Sequence, residues 1–250
     1  MDPAYSAQQA TSHVVAHNLR EYRARVAAAA VKSGRSDASV RLVAVSKTKP
    51  MADILIAYEQ GHRHFGENVQ ELVEKAEKMP KDIQWHFIGT LQSNKCKFIA
   101  AIPNLYAVET VDGAKKADTL EKAVAPFLAT ARENVPLGIF VQVNTSGEES
   151  KSGISPADAV PVAKHILEKC PSLRLAGFMT IGSPDRDPTQ GPNPDFQCLN
   201  ECCDAVLAAT ELTDLELSMG MSDDFEHAIE MGATNVRLGS CIFGARAKKV

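Results

Sequence analysis

Residues 42–66 read LVAVSKTKPMADILIAYEQGHRHFG and contain a strand, a helix and the start of a second strand, in that order. Leu42–Lys47 is an apolar, β-branched run of the kind found in a buried strand. Ala52–Gln60 has apolar residues at helical spacing, and His64–Gly66 is the next short β-rich run. This order predicts the βαβ unit of a parallel sheet.

The same alternation continues along the 250 residues. Further strands are predicted at Gln84–Gly89, Leu105–Glu109, Gly138–Asn144, Leu173–Ile181, Leu215–Met219 and Asn235–Leu238. Helical patterns between them cover Val69–Met79, Asn94–Ala101, Val111–Ala125, Pro156–Cys170, Asp195–Ala209 and Asp224–Met231. Eight such units predict an α/β fold, a (β/α)8 TIM barrel formed by residues 1–250 as one domain, with an extra N-terminal helix at Tyr5–Lys32. A doubly wound open sheet is the alternative, but the G-x-G-x-x-G and Walker-type loops of such folds are absent.

Composition narrows the classes of partner. The formal net charge of −4 argues against nucleic acid as the main partner, since nucleic-acid binding usually needs a basic face. No apolar run approaches the roughly 20 residues of a membrane helix, and Met1–Val15 lacks the pattern of a secretory signal. We expect a cytoplasmic monomer, with a mitochondrial location as the alternative because the first 40 residues hold several arginines and few acids.

The six cysteines do not form a recognisable metal motif. No C-x-x-C pair exists, and Cys198 and Cys202 share a helix face with no histidine near them in sequence. We therefore expect reduced, partly buried thiols and no metal site.

Lys47 is the first candidate for chemistry, because it ends an apolar strand. By alternation its side chain shares a face with Val43 and Val45. Such a lysine either reaches out to solvent along its aliphatic stem or is functional. A desolvated amine has a lowered pKa, which suits imine formation with an aldehyde.

The last two predicted strands lead into loops suited to an anion. Gly239 and Ser240 follow strand eight, where barrels often bind phosphate, and glycine lets the backbone approach closely. Ser222 lies after strand seven, where it either caps the next helix or contributes to the same phosphate site. Arg237 shares a face with Gly239, and a guanidinium pointing into a barrel would need an acceptor there.

Other polar groups lie at or near the ends of strands two, three and six. Asn68 could bind a ligand or close a turn, and His86 could line the barrel or be a satisfied core histidine. Met179 lies near the end of strand six, before a proline-rich loop at Gly182–Pro194 that is either a lid or a passive insertion.

Taken together, a strand-end lysine, an anion site and an inward arginine describe a site for an aldehyde phosphate. At this point the sequence also resembles a known family, the pyridoxal phosphate homeostasis proteins, which are similar in fold to the barrel domain of bacterial alanine racemase. The resemblance runs from about residue 10 to the end, and the segment at 190–196, QGPNPDF, is similar to eukaryotic members. The other matching stretches are AVSKTKP (44–50), FGEN (65–68), WHFIG (85–89), LQSNK (91–95), VNTS (143–146), GFMTIG (177–182), LSMGMS (217–222), VRLGS (236–240) and IFGAR (242–246).

The resemblance implies pyridoxal 5'-phosphate as cofactor, carried by Lys47 as a Schiff base. It implies phosphate contacts from Ser222, Gly239 and Ser240, with Arg237 near the pyridine nitrogen. It further implies that three residues line the pocket: Asn68, His86 and Met179. Two positions depart from the family pattern: Val69 stands where members commonly have tyrosine, and Asp223 where a small residue is common.

The function that follows is intracellular homeostasis of pyridoxal phosphate, by buffering the cofactor or delivering it to apo-enzymes, without a clear catalytic reaction. A racemase-like or lyase-like enzyme that uses the same cofactor on amino acids is the first alternative. A cofactor-free lysine aldolase on a barrel is the second.

Overall fold

In the computed structural model the described residues are 3–148, 152–183, 186 and 191–245, with side chains from residue 13 onward. Eight strands form one closed parallel barrel in sequence order, and β1 pairs with β8 to complete it. The strands are β1 Arg41–Val45, β2 His64–Glu67, β3 Gln84–Phe87, β4 Leu105–Val111, β5 Leu137–Gln142, β6 Leu173–Met179, β7 Glu216–Ser218 and β8 Asn235–Leu238.

Helices alternate with these strands. They are α1 Pro3–Lys32, α2 Met51–Glu59, α3 Val69–Lys78, α4 Cys96–Ala100, α5 Ala114–Val124, α6 Ala159–Lys169, α7 Pro194–Ala209, α8 Phe225–Glu230 and α9 Ser240–Phe243. The helix α1 precedes the barrel and packs on α2, α8 and α9. The predicted TIM barrel with an extra N-terminal helix is therefore confirmed.

Three predicted helices begin later than expected, and one short helix was not predicted. Val111 does not begin a helix, because strand β4 continues through it and α5 starts after Gly113. The helices predicted at Asn94 and Pro156 open with a 3-10 turn, so their α-helical parts begin later. The four-residue helix α9 had no prediction, since a single turn has no apolar periodicity to detect.

The core has two layers. The outer layer lies between the strands and the helices and contains most of the buried apolar side chains, including Trp85 and Phe178. The inner layer lies inside the barrel and holds Ala107, Phe140 and Met179. Buried polar side chains also lie inside the barrel, and they shape the site described next. No helix among the described residues is long and apolar enough to cross a membrane.

Candidate cofactor site

A cavity of about 500 Å³ opens at the carboxyl ends of the strands, the end at which barrels hold their active sites. It brings together residues from the ends of β1, β6, β7 and β8, although these are distant in sequence. The predicted site residues that line it are Lys47, Met179, Ser222, Arg237, Gly239 and Ser240. Asn68 and His86 are not among its lining residues.

Lys47 lies two residues beyond β1 and reaches into this cavity. Its Nζ donates a hydrogen bond to the carbonyl oxygen of Ile88 at 3.0 Å, which directs the amine across the mouth of the barrel. Thr48, the next residue, has φ of 65°. This left-handed conformation is costly for a β-branched residue, so neighbouring groups must hold the turn after Lys47.

A buried ion pair holds the backbone just before Lys47. Lys75 and Glu67 are 5% and 0% exposed, and Lys75 Nζ lies 2.5 Å from Glu67 Oε1. Lys75 Nζ also donates to the carbonyl of Ser46 at 3.0 Å, while the Ser46 hydroxyl donates to Glu67 at 2.7 Å. Burial raises the pKa of Glu67, and the hydrogen bond and positive charge of Lys75 oppose that shift. The strand end before Lys47 is thereby bonded to β2 and α3.

Asn68 lies next to this group of Ser46, Glu67 and Lys75, which we call the clamp. Its side-chain oxygen accepts a hydrogen bond from Glu71 N and caps α3, and its Nδ2 donates to Glu71 Oε1. Glu71 Oε2 in turn accepts from the backbone N–H of Thr48 at 2.8 Å and from Lys75 at 2.8 Å. In the described part of the chain, Asn68 thus connects to the turn after Lys47 through Glu71.

Ser222 connects the two loops that were predicted to bind phosphate. Its Oγ accepts hydrogen bonds from Gly239 N and Ser240 Oγ, both at 3.3 Å. It does not cap α8, so that alternative was wrong: the helix starts at Phe225, and the Met221 backbone N–H is satisfied by the carboxylate of Asp224. A Cβ at Gly239 would lie 3.3 Å from that of Val45, so this loop packs tightly against β1.

Arg237 points into the barrel, and its acceptors are present. Its Nη1 donates to Ser218 Oγ at 2.5 Å, and its Nη2 donates to the carbonyl of Thr180 at 2.7 Å. Glu109 Oε2 lies 4.0 Å from Nη1 and accepts a hydrogen bond from the Ser218 hydroxyl. Burial lowers the pKa of the Arg237 guanidinium, and the carboxylates of Glu109 and Asp224 oppose that shift.

His86 lies deeper in the barrel, at 0% exposure. Its Nδ1 contacts Glu109 Oε1 at 2.6 Å, and its Nε2 contacts His64 Nδ1 at 3.0 Å. Burial is the main reason that the pKa of His64 falls to about 3. His86 thus reaches the cavity only through Glu109 and Ser218, which were not predicted as site residues. The sequence feature that could have identified them is a carboxylate or a hydroxyl within an otherwise apolar strand.

Comparison with known proteins identifies the family of this chain. Residues 13–247 match the family model described as "Alanine racemase, N-terminal domain". A pyridoxal phosphate homeostasis protein of Homo sapiens is 47% identical over 243 residues, which cover 91% of this chain and 85% of that protein. The chain belongs to the pyridoxal phosphate homeostasis protein family. A member of this family from Schizosaccharomyces pombe is 45% identical over 219 residues, covering 86% of this chain and 88% of that protein.

Solved structures extend the comparison. The chain is similar to PipY of Synechococcus elongatus PCC7942, whose structure with pyridoxal phosphate bound superposes with a TM-score of 0.73 at 29% identity, covering 92% of this chain and 100% of that one. Alanine racemase of Corynebacterium glutamicum superposes with a TM-score of 0.65 at 16% identity, covering 94% of this chain and 62% of that one. At that identity the likeness to the racemase shows the fold alone.

Proposed function

We propose that this chain binds pyridoxal 5'-phosphate covalently through Lys47 and acts in homeostasis of the cofactor, by buffering it or passing it to apo-enzymes. The observation that carries the proposal is that one cavity holds a strand-end amine, a buried guanidinium and the paired loops of Ser222 and Ser240. The PipY structure with pyridoxal phosphate and the family name support the choice of ligand.

The cavity suits this cofactor in size and in donors. Its volume of about 500 Å³ falls within the roughly 300–1,000 Å³ of small-molecule sites. The Lys47 amine would condense with the aldehyde carbon, and one water molecule would leave. The hydroxyls of Ser222 and Ser240 would hold the phosphate, and Arg237 would face the pyridine ring. When bound, the cofactor supplies an electron sink for carbanions.

The chain's own residues favour retention of the cofactor. The Ser46–Glu67–Lys75 clamp holds the backbone on one side of Lys47, and Glu71 holds it on the other. Arg237 is fixed by Ser218 and Thr180, so its charge stays at one place in the cavity wall. These features hold one amine and one guanidinium in place, which supports a carrier over an enzyme; that the carrier is monomeric and cytoplasmic is proposed from the sequence alone.

The test is borohydride reduction of the cofactor-loaded protein, followed by peptide mass analysis. The pyridoxyl adduct should lie on Lys47, and Lys47→Ala should lose the absorbance band of the bound cofactor. Lys49 is the matched control, because it lines the same cavity two residues later. An adduct mainly on Lys49 would show that Lys47 is not the attachment point. A protein with no bound-cofactor band at all would favour a cofactor-free lysine aldolase.

A further inference from the structure

A cluster of three potential metal ligands lies on the outside of the barrel, away from the cofactor cavity. Asp118 is on α5, His165 is on α6, and Cys170 directly follows α6. One ligand atom from each residue lies within 4.8 Å of the other two. His165 Nε2 is 2.7 Å from Asp118 Oδ1, and Cys170 Sγ is 4.0 Å from that same oxygen.

Negatively charged side chains lie near the Cys170 thiol. Its side chain is buried, and the carboxylates of Glu121 and Asp118 both face it. A divalent cation between the three side chains would offset this negative charge, and it would bind Cys170 as a thiolate.

We propose that Asp118, His165 and Cys170 form a binding site for a divalent cation of the zinc class. Nitrogen, sulfur and oxygen ligands together suit Zn²⁺, whereas Mg²⁺ and Ca²⁺ prefer oxygen alone. Three protein ligands leave the fourth tetrahedral position to water.

The required movements are small for the two contacts that Asp118 makes. Zinc–ligand bonds of about 2.0–2.3 Å place tetrahedral ligand atoms roughly 3.3–3.7 Å apart. The histidine–carboxylate contact would open by about half an ångström, and the thiol would close on the carboxylate by a similar amount. Both Asp118 and His165 are partly exposed, with side-chain exposures of 44% and 32%, so they are free to adjust and a metal can enter from solvent.

Such a site would tie α5 to α6 and to the start of β6. Cys170 lies just before β6, the strand that ends at Met179 in the cavity wall. This proposal departs from the expectation of no metal site, which rested on spacing along the chain. The ligands are brought together by the packing of α5 on α6, and spacing does not show that packing.

The test is a titration of the reduced, metal-free full-length protein with Co²⁺, followed in the visible region at wavelengths longer than those at which pyridoxal phosphate absorbs. A tetrahedral cobalt spectrum should saturate at one equivalent per chain, and one equivalent of Zn²⁺ should abolish it. His165→Gln and Cys170→Ser should each weaken binding at least tenfold. Cys198→Ser is the matched control and should leave binding unchanged, because Cys198 lies on α7.

Cys170 is buried, so its serine variant could fail to fold; His165→Gln, on a half-exposed side chain, then decides the matter by itself. No tetrahedral spectrum at about 1 mM Co²⁺ would overturn the proposal, as would a spectrum unchanged in His165→Gln. Loss of the spectrum in Cys198→Ser would place the metal at the Cys198–Cys202 pair and would equally overturn it.

Discussion

At the scale of single residues, Asp223 stands out because it brings a carboxylate to the rim of a cavity proposed to hold a phosphate. It follows Ser222 directly, is exposed, and lines the cavity. A like charge near the phosphate weakens binding, although solvent screening keeps the effect of an exposed charge to about 0.2–1 kcal/mol. We therefore expect the loops of Ser222 and Ser240 to bind a phosphate more weakly than their hydroxyls alone would.

Asp223→Ala should raise the affinity for pyridoxal phosphate about 1.4- to fivefold, the range that corresponds to this energy. Plain pyridoxal is the matched control ligand, since it lacks the phosphate and its affinity should not change. Equilibrium titrations of both ligands at low and high salt would measure the difference, which salt should reduce. An equal gain for both ligands would mean that Asp223 does not face the phosphate.

At the scale of elements, the clamp between β1, β2 and α3 fixes the strand end that precedes Lys47. Lys75→Met should destabilise the fold by about 3–5 kcal/mol, because it leaves Glu67 buried without its partner. Lys78→Met is the matched control: Lys78 lies on the same helix and also pairs with the glutamate four residues earlier, but it is exposed. Its loss should leave the stability nearly unchanged, because solvent screens an exposed ion pair.

Urea denaturation of both variants would give these values. Equal small losses would show that the Lys75–Glu67 pair contributes no more than a surface pair. The double variant Glu67→Gln with Lys75→Met removes the buried charge as well as its partner. If it regains stability but not the bound-cofactor band, the clamp positions Lys47 in addition to stabilising the fold.

A second element-scale feature is His62, which lies between α1 and β2. Arg23 donates to its Nδ1, and its Nε2 lies 2.8 Å from the carbonyl of His64, so the neutral ring satisfies both contacts. Burial and the charge of Arg23 lower the pKa of His62 from 6.5 to about 3. Below pH 6.5 the unfolded chain takes up a proton that the folded chain refuses until about pH 3, so acidification in this window favours unfolding.

We expect His62 to reduce the free energy of unfolding by about 2 kcal/mol at pH 5 relative to pH 7. His62→Gln should remove this part of the pH dependence, whatever it does to stability at pH 7. The matched control is His17→Gln on the exposed face of α1, which should keep the wild-type slope. Thermal or urea unfolding between pH 5 and 7 measures the slope, and identical slopes in all three proteins would contradict the assignment.

Element order and strand positions could be predicted because they depend on local patterns. The apolar runs of β1 and β8 place Lys47 and Arg237 near strand ends, and a closed barrel brings those ends together. The role of Asn68 could not be predicted, since a cap and a ligand contact place the same demands on residue type. Glu109 was missed for a different reason. Its importance depends on His86, Ser218 and Arg237 meeting it from three other strands.

At the scale of the whole molecule, a column of polar side chains runs through the barrel, partly exposed at its first member and buried beyond it. It passes from His64 to His86, then to Glu109, Ser218 and finally Arg237 in the cavity wall. Hydrogen bonds from His86 and Ser218, with the charges of His86 and Arg237, outweigh the effect of burial and lower the pKa of Glu109. A charged Glu109 keeps Arg237 protonated, so the column fixes a positive charge at one side of the cavity.

That arrangement bears on amino-acid racemisation, which needs an acid–base group on each face of the substrate α-carbon. Among the described residues that line the cavity, the amines are Lys47 and Lys49, which follow the same strand, and the carboxylate is that of Asp223 at the rim. Lys49 also donates to the carbonyl of Ala245. Tyr106 is bonded to Arg41 at the other end of the barrel, and Tyr58 is bonded to Asp82 outside it. Neither can serve as the opposite base.

The cofactor-loaded protein should therefore racemise L-alanine far more slowly than about 1 per second, an ordinary rate for an enzyme. On the proposed placement of the cofactor, the guanidinium of Arg237 would act in the same direction, because a positive charge beside the pyridine nitrogen would disfavour its protonation and weaken the electron sink. Incubation with L-alanine in heavy water, with chiral analysis and mass measurement of α-deuterium, tests this. Slow deuterium uptake with retained configuration would indicate one-sided exchange by Lys47, and Lys47→Ala should abolish it while Lys49→Met should not. Racemisation at 1 per second or faster would instead make the chain a racemase-like enzyme, and Lys49→Met would then be the first variant to examine for loss of the second base.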